Sequence, residues 1–466
     1  MPAVCMNSIS TIPDADAAEA PHFGAVRTAF QQYESQTRAA GEPDWLASLR
    51  RRQLTRFLAA GYPTRRDEDW RHTSLDAVVS MPFALASSAG PDGRIVQLLE
   101  GSAFSSVSGQ RLVFVNGYLI PELSRAVRSS DGVYVAGFAS AVQEKSEILR
   151  ARLTADAEDG SDGSLGALNL AFAREGAVVI VPANTVLDEP IVLVFVSFPQ
   201  TAGERTHVRN VIMTGPNSRA TVIEHYIGLG TESAVTSSVT ELHAGQGAVF
   251  EHLKLQDESN SVFHLATLRA RLESSSKVSC HSFALGSRLA RQNVLATLAG
   301  EGIEAVFNGL YLGDADRLID HYLSVDHAAA GCASHEFFNG VLDDKATGVF
   351  YGRIRVRQHA QKTDAKQTNK NLLLSDDAAV HTRPQLEIYA DDVKCTHGAT
   401  IGQLDPEGLF YLRSRGLPVA TARRTLIHAF AGEIIERVWC GAARDILNRL
   451  VWERVERTRH VSGSER

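Results

Sequence analysis

The chain has 466 residues, of which 44% are apolar and 22% charged, and a formal net charge of −7. That length can bury a large core and exceeds one ordinary domain, so two or three regions are expected. The acidic balance argues against a general nucleic-acid binder, which is usually basic. The five cysteines (Cys5, Cys280, Cys332, Cys395, Cys440) are scattered and no CxxC occurs, so no zinc knuckle or self-contained thiolate cluster site is written here. The N-terminal residues lack the basic and apolar blocks of a secretory signal, and no run approaches the ~18 apolar residues of a membrane span. A soluble protein of the reducing cytoplasm is the expectation.

Residues 1–20 are small, acidic and Pro-containing and read as a flexible lead-in. A helix is expected from His22 to Ala40, with Phe23, Val26, Phe30 and Tyr33 on one face and Gly41-Glu42-Pro43 as its stop. Asp44 can cap a second helix whose buried face is Leu46, Leu49, Gln53, Phe57 and Leu58, leaving Arg50-Arg51-Arg52 on a solvated face. In DEDWRHTSL (Asp67–Leu75) the Trp reads as an aromatic anchor with a polar rim that docks a helical lobe.

From Arg111 the pattern turns to β. RLVFVNGYLI (Arg111–Ile120) predicts a hairpin around Asn116-Gly117. Ser164–Gly176 predicts a short helix, and AVVIVPANTVLDEPIVLVFVS that follows predicts two apolar strands. From Val208 to Tyr389 a small or polar turn followed by a period-2 strand recurs. Aligned on Ala220, Ala248, Val278, Ala305, Gly348 and Ala379, the offsets are 28, 30, 27, 43 and 31. A near-fixed interval of this kind is a solenoid signature, because each unit buries one face only when the next stacks on it. A β-helix is favoured over a β-sandwich, and the long offset predicts an inserted loop at Gly313–Gly331. Asp314-Ala315-Asp316 and Asp343-Asp344 read as loop acids. His252 and His281 recur at similar places in their repeats, so they could stack.

After Thr400 the code is helical. Asp405 caps, Pro406 takes the first helical position, and Leu409, Phe410 and Leu412 are expected to begin a buried face before Gly416. Two further helices are expected, from Val419 to Arg437 and from Cys440 to Arg459, with apolar stripes suited to intrachain packing or to a partner. There is no P-loop, GxGxxG, HExxH or GxSxG motif in the chain. What remains is Cys395 and His397, two apart and therefore on one side of a strand. Such a pair could bind a soft metal, activate a thiol, or be a buried Cys beside a structurally bonded His. Two ligands are too few for a closed site, so a metal would need others from elsewhere or from a second chain.

The stretch YADDVKCTHGATIGQLDPEGLFYLRSRG (Tyr389–Gly416) resembles the C-terminal signature of the SufB/SufD family of iron–sulfur cluster assembly proteins. LVFVNGYLIPELS, GALNLAFAREGAVVIVPANTVLDEPI, QTNKNLLLSDDAAVHTRPQLEIYADD and DEDWRHTSL support the resemblance, which covers about residues 67–437. His397-Gly398-Ala399 stands where SufB-like chains carry Glu-His-Glu, and the cysteine-rich N-terminal motif of SufB is absent, so the resemblance points to the SufD branch.

The resemblance implies a mainly β fold, a right-handed parallel β-helix flanked by N- and C-terminal α-helical regions. The regions would be 1–20 (lead-in), 21–110 (N-terminal helical), 111–400 (β-helix core) and 401–466 (C-terminal helical). It further implies a scaffold without catalytic activity of its own, which pairs with SufB through the end of the β-helix. The ATPase SufC would dock on the C-terminal helices, at Leu409, Phe410, Tyr411, Arg413 and Arg415, and its ATP hydrolysis would move the SufB interface. His397 would be this branch's contribution to a transient nascent cluster, a metal ligand shared with SufB, with Cys395 as the motif cysteine. Reduced flavin is associated with the complex, with no residue of this chain assigned to it. A homodimer of the isolated chain, a homodimeric adaptor that binds an ATPase but no metal, and a β-helix carbohydrate-active enzyme are the alternatives.

Overall fold

The computed structural model describes residues 21–125 and 132–457, so the lead-in at 1–20 and the last residues of the C-terminal region lie outside the described residues. From Ala177 to Gly402 the chain winds as a parallel β-helix of eight coils. Each coil gives one strand to each of two sheets, from Ala177–Val181 with Ile191–Ser197 to Ala379–Ile388 with Lys394–Gly402. The repeat of a polar turn and a period-2 strand has its structural cause in the turn between the two strands of a coil. Asn184, Asn217, Gly247, Ser275, Gly302, Gly331 and Lys362 occupy equivalent left-handed positions there, which Gly and Asn tolerate best. Their amides hydrogen-bond up the stack, for example Asn217 to the Gln246 carbonyl (2.9 Å) and Ser275 to the Glu301 carbonyl (2.8 Å).

The repeat alignment needs three corrections, the smallest being that Ala379 pairs with Thr347 and not Gly348. Ala220 pairs with Phe250 and not Ala248, because Ala248 still belongs to the turn, in the place that Ser218 takes one coil earlier. The offset of 43 is not an insertion. Ala305 pairs with Ser334 one coil on, and Gly348 belongs to the other sheet, beside Ile319. Residues Leu318–His327, inside the expected loop, form a regular strand. The two acid pairs flanking it do lie in turns, where Ala315 and Asp344 are left-handed.

The first helix (Pro21–Ala39) and the second (Asp44–Ala60) form where expected, with Leu46, Leu49, Gln53 and Phe57 buried and Leu58 half-buried, but Asp44 does not cap: it is the first helical residue, behind Pro43, and no side chain caps this helix. Arg50 departs from the solvated face assigned to it. It is buried, bound to Glu42 (2.7 Å) and to the Leu170 carbonyl (2.9 Å), because the helix Gly163–Phe172 packs over it. The hairpin forms at Asn116-Gly117, both left-handed, as a two-residue turn requires. Three helices between Phe138 and Phe172 interrupt the 111–400 span before the coils begin. Trp70 docks the N-terminal segment on one sheet, with the Arg291 guanidinium 3.8 Å from its ring centre and Thr73 bonded to Asp320. On the other sheet lie the last two helices, Val419–Ile435 and Gly441–Glu456, whose Ile427, Ile434, Leu447 and Val451 share a core with Leu253, Leu255, Leu310 and Val341. No described helix is long and apolar enough to cross a membrane.

Inside the coils, stacked rings need small neighbours. Gly340 pairs with Tyr311, and a Cβ there would run into the Tyr311 ring and come within 2.6 Å of Asn371 Oδ1. The ring is fully buried and its hydroxyl is held by Asn371, so it has nowhere to move. Gly340→Ala is expected to cost about 1–3 kcal/mol, read as a lower denaturant midpoint. A midpoint equal to that of the parent would show that the ring column yields.

Candidate functional site

The alternation of each strand sends one residue set into the β-helix and the other outward. On the last strand, Lys394–Gly402, this puts Cys395 and His397 on the same, inward side, paired with Ala365 and Gln367 of the preceding coil. The two differ in surroundings. Cys395 is half-buried against Ala365, Ile354 and Leu386. Burial pushes its thiol up, a backbone hydrogen bond at Ala365 opposes this, and the charges of Asp364 and Glu336 push it further. His397 is exposed, since nothing in the described chain stacks on this coil. Behind it runs an inward file of Glu336, Gln367 and His397, neighbours in register, with Gln367 Nε2 3.5 Å from Glu336 Oε2. Among the described residues, Cys395 and His397 belong to no three-ligand group, so this chain alone offers an incomplete donor set.

Both strands of the last coil are sheet edges, with one neighbour each. The edge continues into helix Pro406–Ser414. Its cap is as expected, the Asp405 carboxylate accepting from the amides of Glu407 (3.0 Å) and Gly408 (3.1 Å). Its buried face is not. No residue of this helix is buried, because the two helices after it take the sheet surface that it would have covered. Leu409 is half-buried, Arg413 and Arg415 are exposed, and Phe410 and Tyr411 are 74% and 55% exposed. Among the described residues, six of the nine exposed large apolar side chains lie between Ile388 and Val419, which concentrates uncovered apolar surface at this end of the described chain.

The helices that follow are pinned to the sheet by polar contacts. Glu251, buried on the outward side, accepts from the Trp439 and Cys440 amides (2.9 Å for the latter) at the head of helix Gly441–Glu456. Asn339 donates to the Phe430 carbonyl (2.9 Å), and Lys370 pairs with Glu433 (2.7 Å).

The suggested stack of His252 and His281 does not exist. His252 pairs with Cys280, one residue from His281, and a shift of one residue turns a side chain to the opposite face. His252 points inward to Glu224 (2.9 Å), whereas His281 points outward to Glu251 (3.2 Å). Glu224 heads an interior polar network that spacing did not reveal. It also accepts from Thr240 (2.6 Å) and Tyr226 (2.7 Å). Burial alone would push the Glu224 carboxyl up, but the His252 hydrogen bond and the His252 and Lys254 charges outweigh it and bring it to about 2. Burial brings Lys254 down to about 8 against the pull of Glu224 and Glu258.

The family model for the SUF system FeS cluster assembly, SufBD core domain, matches residues 198–430, and that for the SufBD protein N-terminal region matches residues 27–193. The chain is 32% identical over 387 residues to the iron-sulfur cluster assembly protein SufD of Escherichia coli (strain K12), covering 82% of this chain and 87% of that protein. It is 31% identical over 426 residues to an iron-sulfur cluster assembly SufBD family protein of Synechocystis sp., covering 90% and 93%. To the iron-sulfur cluster assembly protein SufD of Bacillus subtilis (strain 168) it is 26% identical over 312 residues, covering 66% and 70%.

The file behind His397 carries a pH signature. Burial raises the Glu336 carboxyl to about 8, against hydrogen bonds from Ser334 and Gln367. A carboxyl that keeps its proton to about 8 when folded and loses it near 4.5 when unfolded favours the native state at low pH. That contribution drains away as pH rises from the unfolded value through the folded one. Glu336→Gln is expected to gain on the parent in denaturant midpoint across that window, and its own midpoint should vary less with pH. Parallel pH profiles for the two would refute this.

Proposed function

This chain belongs to the SufB/SufD family of iron–sulfur cluster assembly proteins, and from that premise we propose that it acts as a SufD-type scaffold subunit of the SUF assembly complex. The observation that carries the reading is the uncovered last coil, whose edge strand presents His397 with Cys395 beside it. A second chain of the same kind completes such an edge by continuing the ladder. In this reading that chain is SufB, His397 supplies a ring nitrogen to the nascent cluster across the interface, and Cys395 is the second donor of the motif. The cluster is cargo, formed and passed on, and no residue of this chain is a catalyst on its own account. ATP hydrolysis belongs to SufC, which docks on helix Pro406–Ser414 through Leu409, Phe410, Tyr411, Arg413 and Arg415. The exposure of Phe410 and Tyr411 supports that docking, since aromatic and Arg side chains are the usual anchors of an interface. Reduced flavin enters with the assembled complex and is not held by this chain alone. Without SufB, the same edge would be covered by a second copy of this chain.

Co-purification with SufB and SufC tests the proposal. A three-component complex is expected, and failure to form one would remove the reading. His397→Ala should leave the complex intact while cutting the iron and acid-labile sulfide that it accumulates by at least about tenfold, by analogy with loss of a metal-site contact. Normal cluster yield from that variant would exclude the assigned role. Phe410→Asp with Tyr411→Asp should weaken SufC binding by about 2 kcal/mol or more, near thirtyfold, in a direct titration. Unchanged affinity would move the docking surface elsewhere.

A further inference from the structure

The outer face of the opposite sheet carries a groove of about 1040 Å³ that starts between the N-terminal helices and the strands and runs along the sheet to the last coil. Glu241 and His243 line it, two apart on strand Ala234–Ala244 and so on one face. Asp156, in the last turn of helix Ser146–Asp159, lies across from them. One donor atom from each of the three lies within 4.8 Å of the other two, and His243 Nε2 is 3.5 Å from Asp156 Oδ2.

Each carboxylate has one oxygen satisfied and one not. Glu241 Oε1 is taken by Arg209 Nε (2.6 Å), and Asp156 Oδ1 faces Arg269 (3.5 Å). Asp156 Oδ2, Glu241 Oε2 and both nitrogens of His243 have no hydrogen-bond partner, although Glu241 is only 1% exposed. The two arginines are otherwise engaged, Arg209 with Asn169 Oδ1 (3.2 Å) and Arg269 with the Asp156 carbonyl (2.8 Å) and Asp159. Two buried carboxylate oxygens and an imidazole thus converge, with the 3.5 Å approach of His243 to Asp156 as the contact between them. Leaving such groups unpaired is costly, and one cation satisfies all three together.

We propose that Asp156, Glu241 and His243 form a binding site for a divalent transition-metal ion. Bonds of about 2.0–2.2 Å to nitrogen and oxygen place tetrahedral donors about 3.3 Å apart. The His243–Asp156 spacing already fits that figure, and since no pair exceeds 4.8 Å, the widest needs to close by at most about 1.5 Å. A nitrogen donor with two carboxylates suits zinc, iron(II) or manganese(II) and disfavours calcium and magnesium, which take oxygen donors. Three protein ligands leave a position open to the groove, where water or a groove-bound anion would complete the shell. The ion would tie helix Ser146–Asp159 to the β-helix. The site does not depend on the function proposed above.

The test uses the full chain carrying Cys395→Ser and His397→Ala, so that the last coil contributes nothing, freed of metal and titrated with zinc chloride alone. One zinc per chain by calorimetry is expected, with a rise in thermal midpoint, and no heat with magnesium at the same concentration. Adding His243→Ala or Asp156→Asn should each lower zinc affinity by at least about tenfold. His243 is partly exposed (13% for its side chain) and its polar contact is the 3.5 Å approach to Asp156 within the cluster itself, so its removal should leave the fold intact, as circular dichroism would verify. Absence of stoichiometric zinc, equal response to magnesium, or parent-like affinity in both variants would overturn the proposal. The facing carboxylates would then be a pair that shares a proton.

Discussion

A parallel ladder cannot finish itself. Each strand of the inner coils satisfies its amides and carbonyls by bonding to the coil above and the coil below, and the same stacking buries the interior. The end coils have only one neighbour, so each end must be closed by something else. At the N-terminal end this chain closes itself. The short antiparallel strands Tyr118–Leu119 and Tyr134–Gly137 pair onto the sheets there and stop them. At the C-terminal end no such device exists among the described residues, and Ile388, Tyr389 and Ile401 stay exposed on or beside the bare edge. The molecule has one capped end and one end that asks for a partner, and the candidate site sits at the second.

The same strand connects that edge to the helices. Lys394–Gly402 leads within a few residues to the cap at Asp405, and helix Pro406–Ser414 then projects with no buried residue. The next two helices are fastened to the sheet through Glu251, Asn339 and Lys370. The projecting helix is therefore tied at both ends, to the bare edge on one side and to the sheet-bound helices on the other. A partner that gripped it would act on the edge through covalent backbone, without a long chain of side-chain contacts.

What the sequence made legible were the features written locally. The hairpin at Asn116-Gly117 and the Asp405 cap each depend on a few adjacent residues, and they appear where the sequence placed them. Features that depend on which coil lies next were misread. The true period was hidden because both strands of a coil look alike, so Gly348 was set in a column with Ala305 although it lies on the other sheet. His252 and His281 were brought together by an alignment one residue out of phase. Arg50 read as solvated because its partners, Glu42 and the Leu170 carbonyl, come from other elements. The interior polar network and the Asp156–Glu241–His243 cluster join residues whose proximity only the winding creates.

Cys395 and His397 share a side of the last strand but differ in burial. Cys395 already packs inside the last coil, with burial and nearby carboxylates holding its proton, and a protonated thiol is a poor metal ligand. His397, two residues along, has lost the shelter of a next coil and offers its ring to whatever arrives. A metal brought by a second chain would therefore meet the imidazole first. Only with its positive charge close by would the thiol give up its proton and join, since a bound cation inverts the local preference for the neutral form.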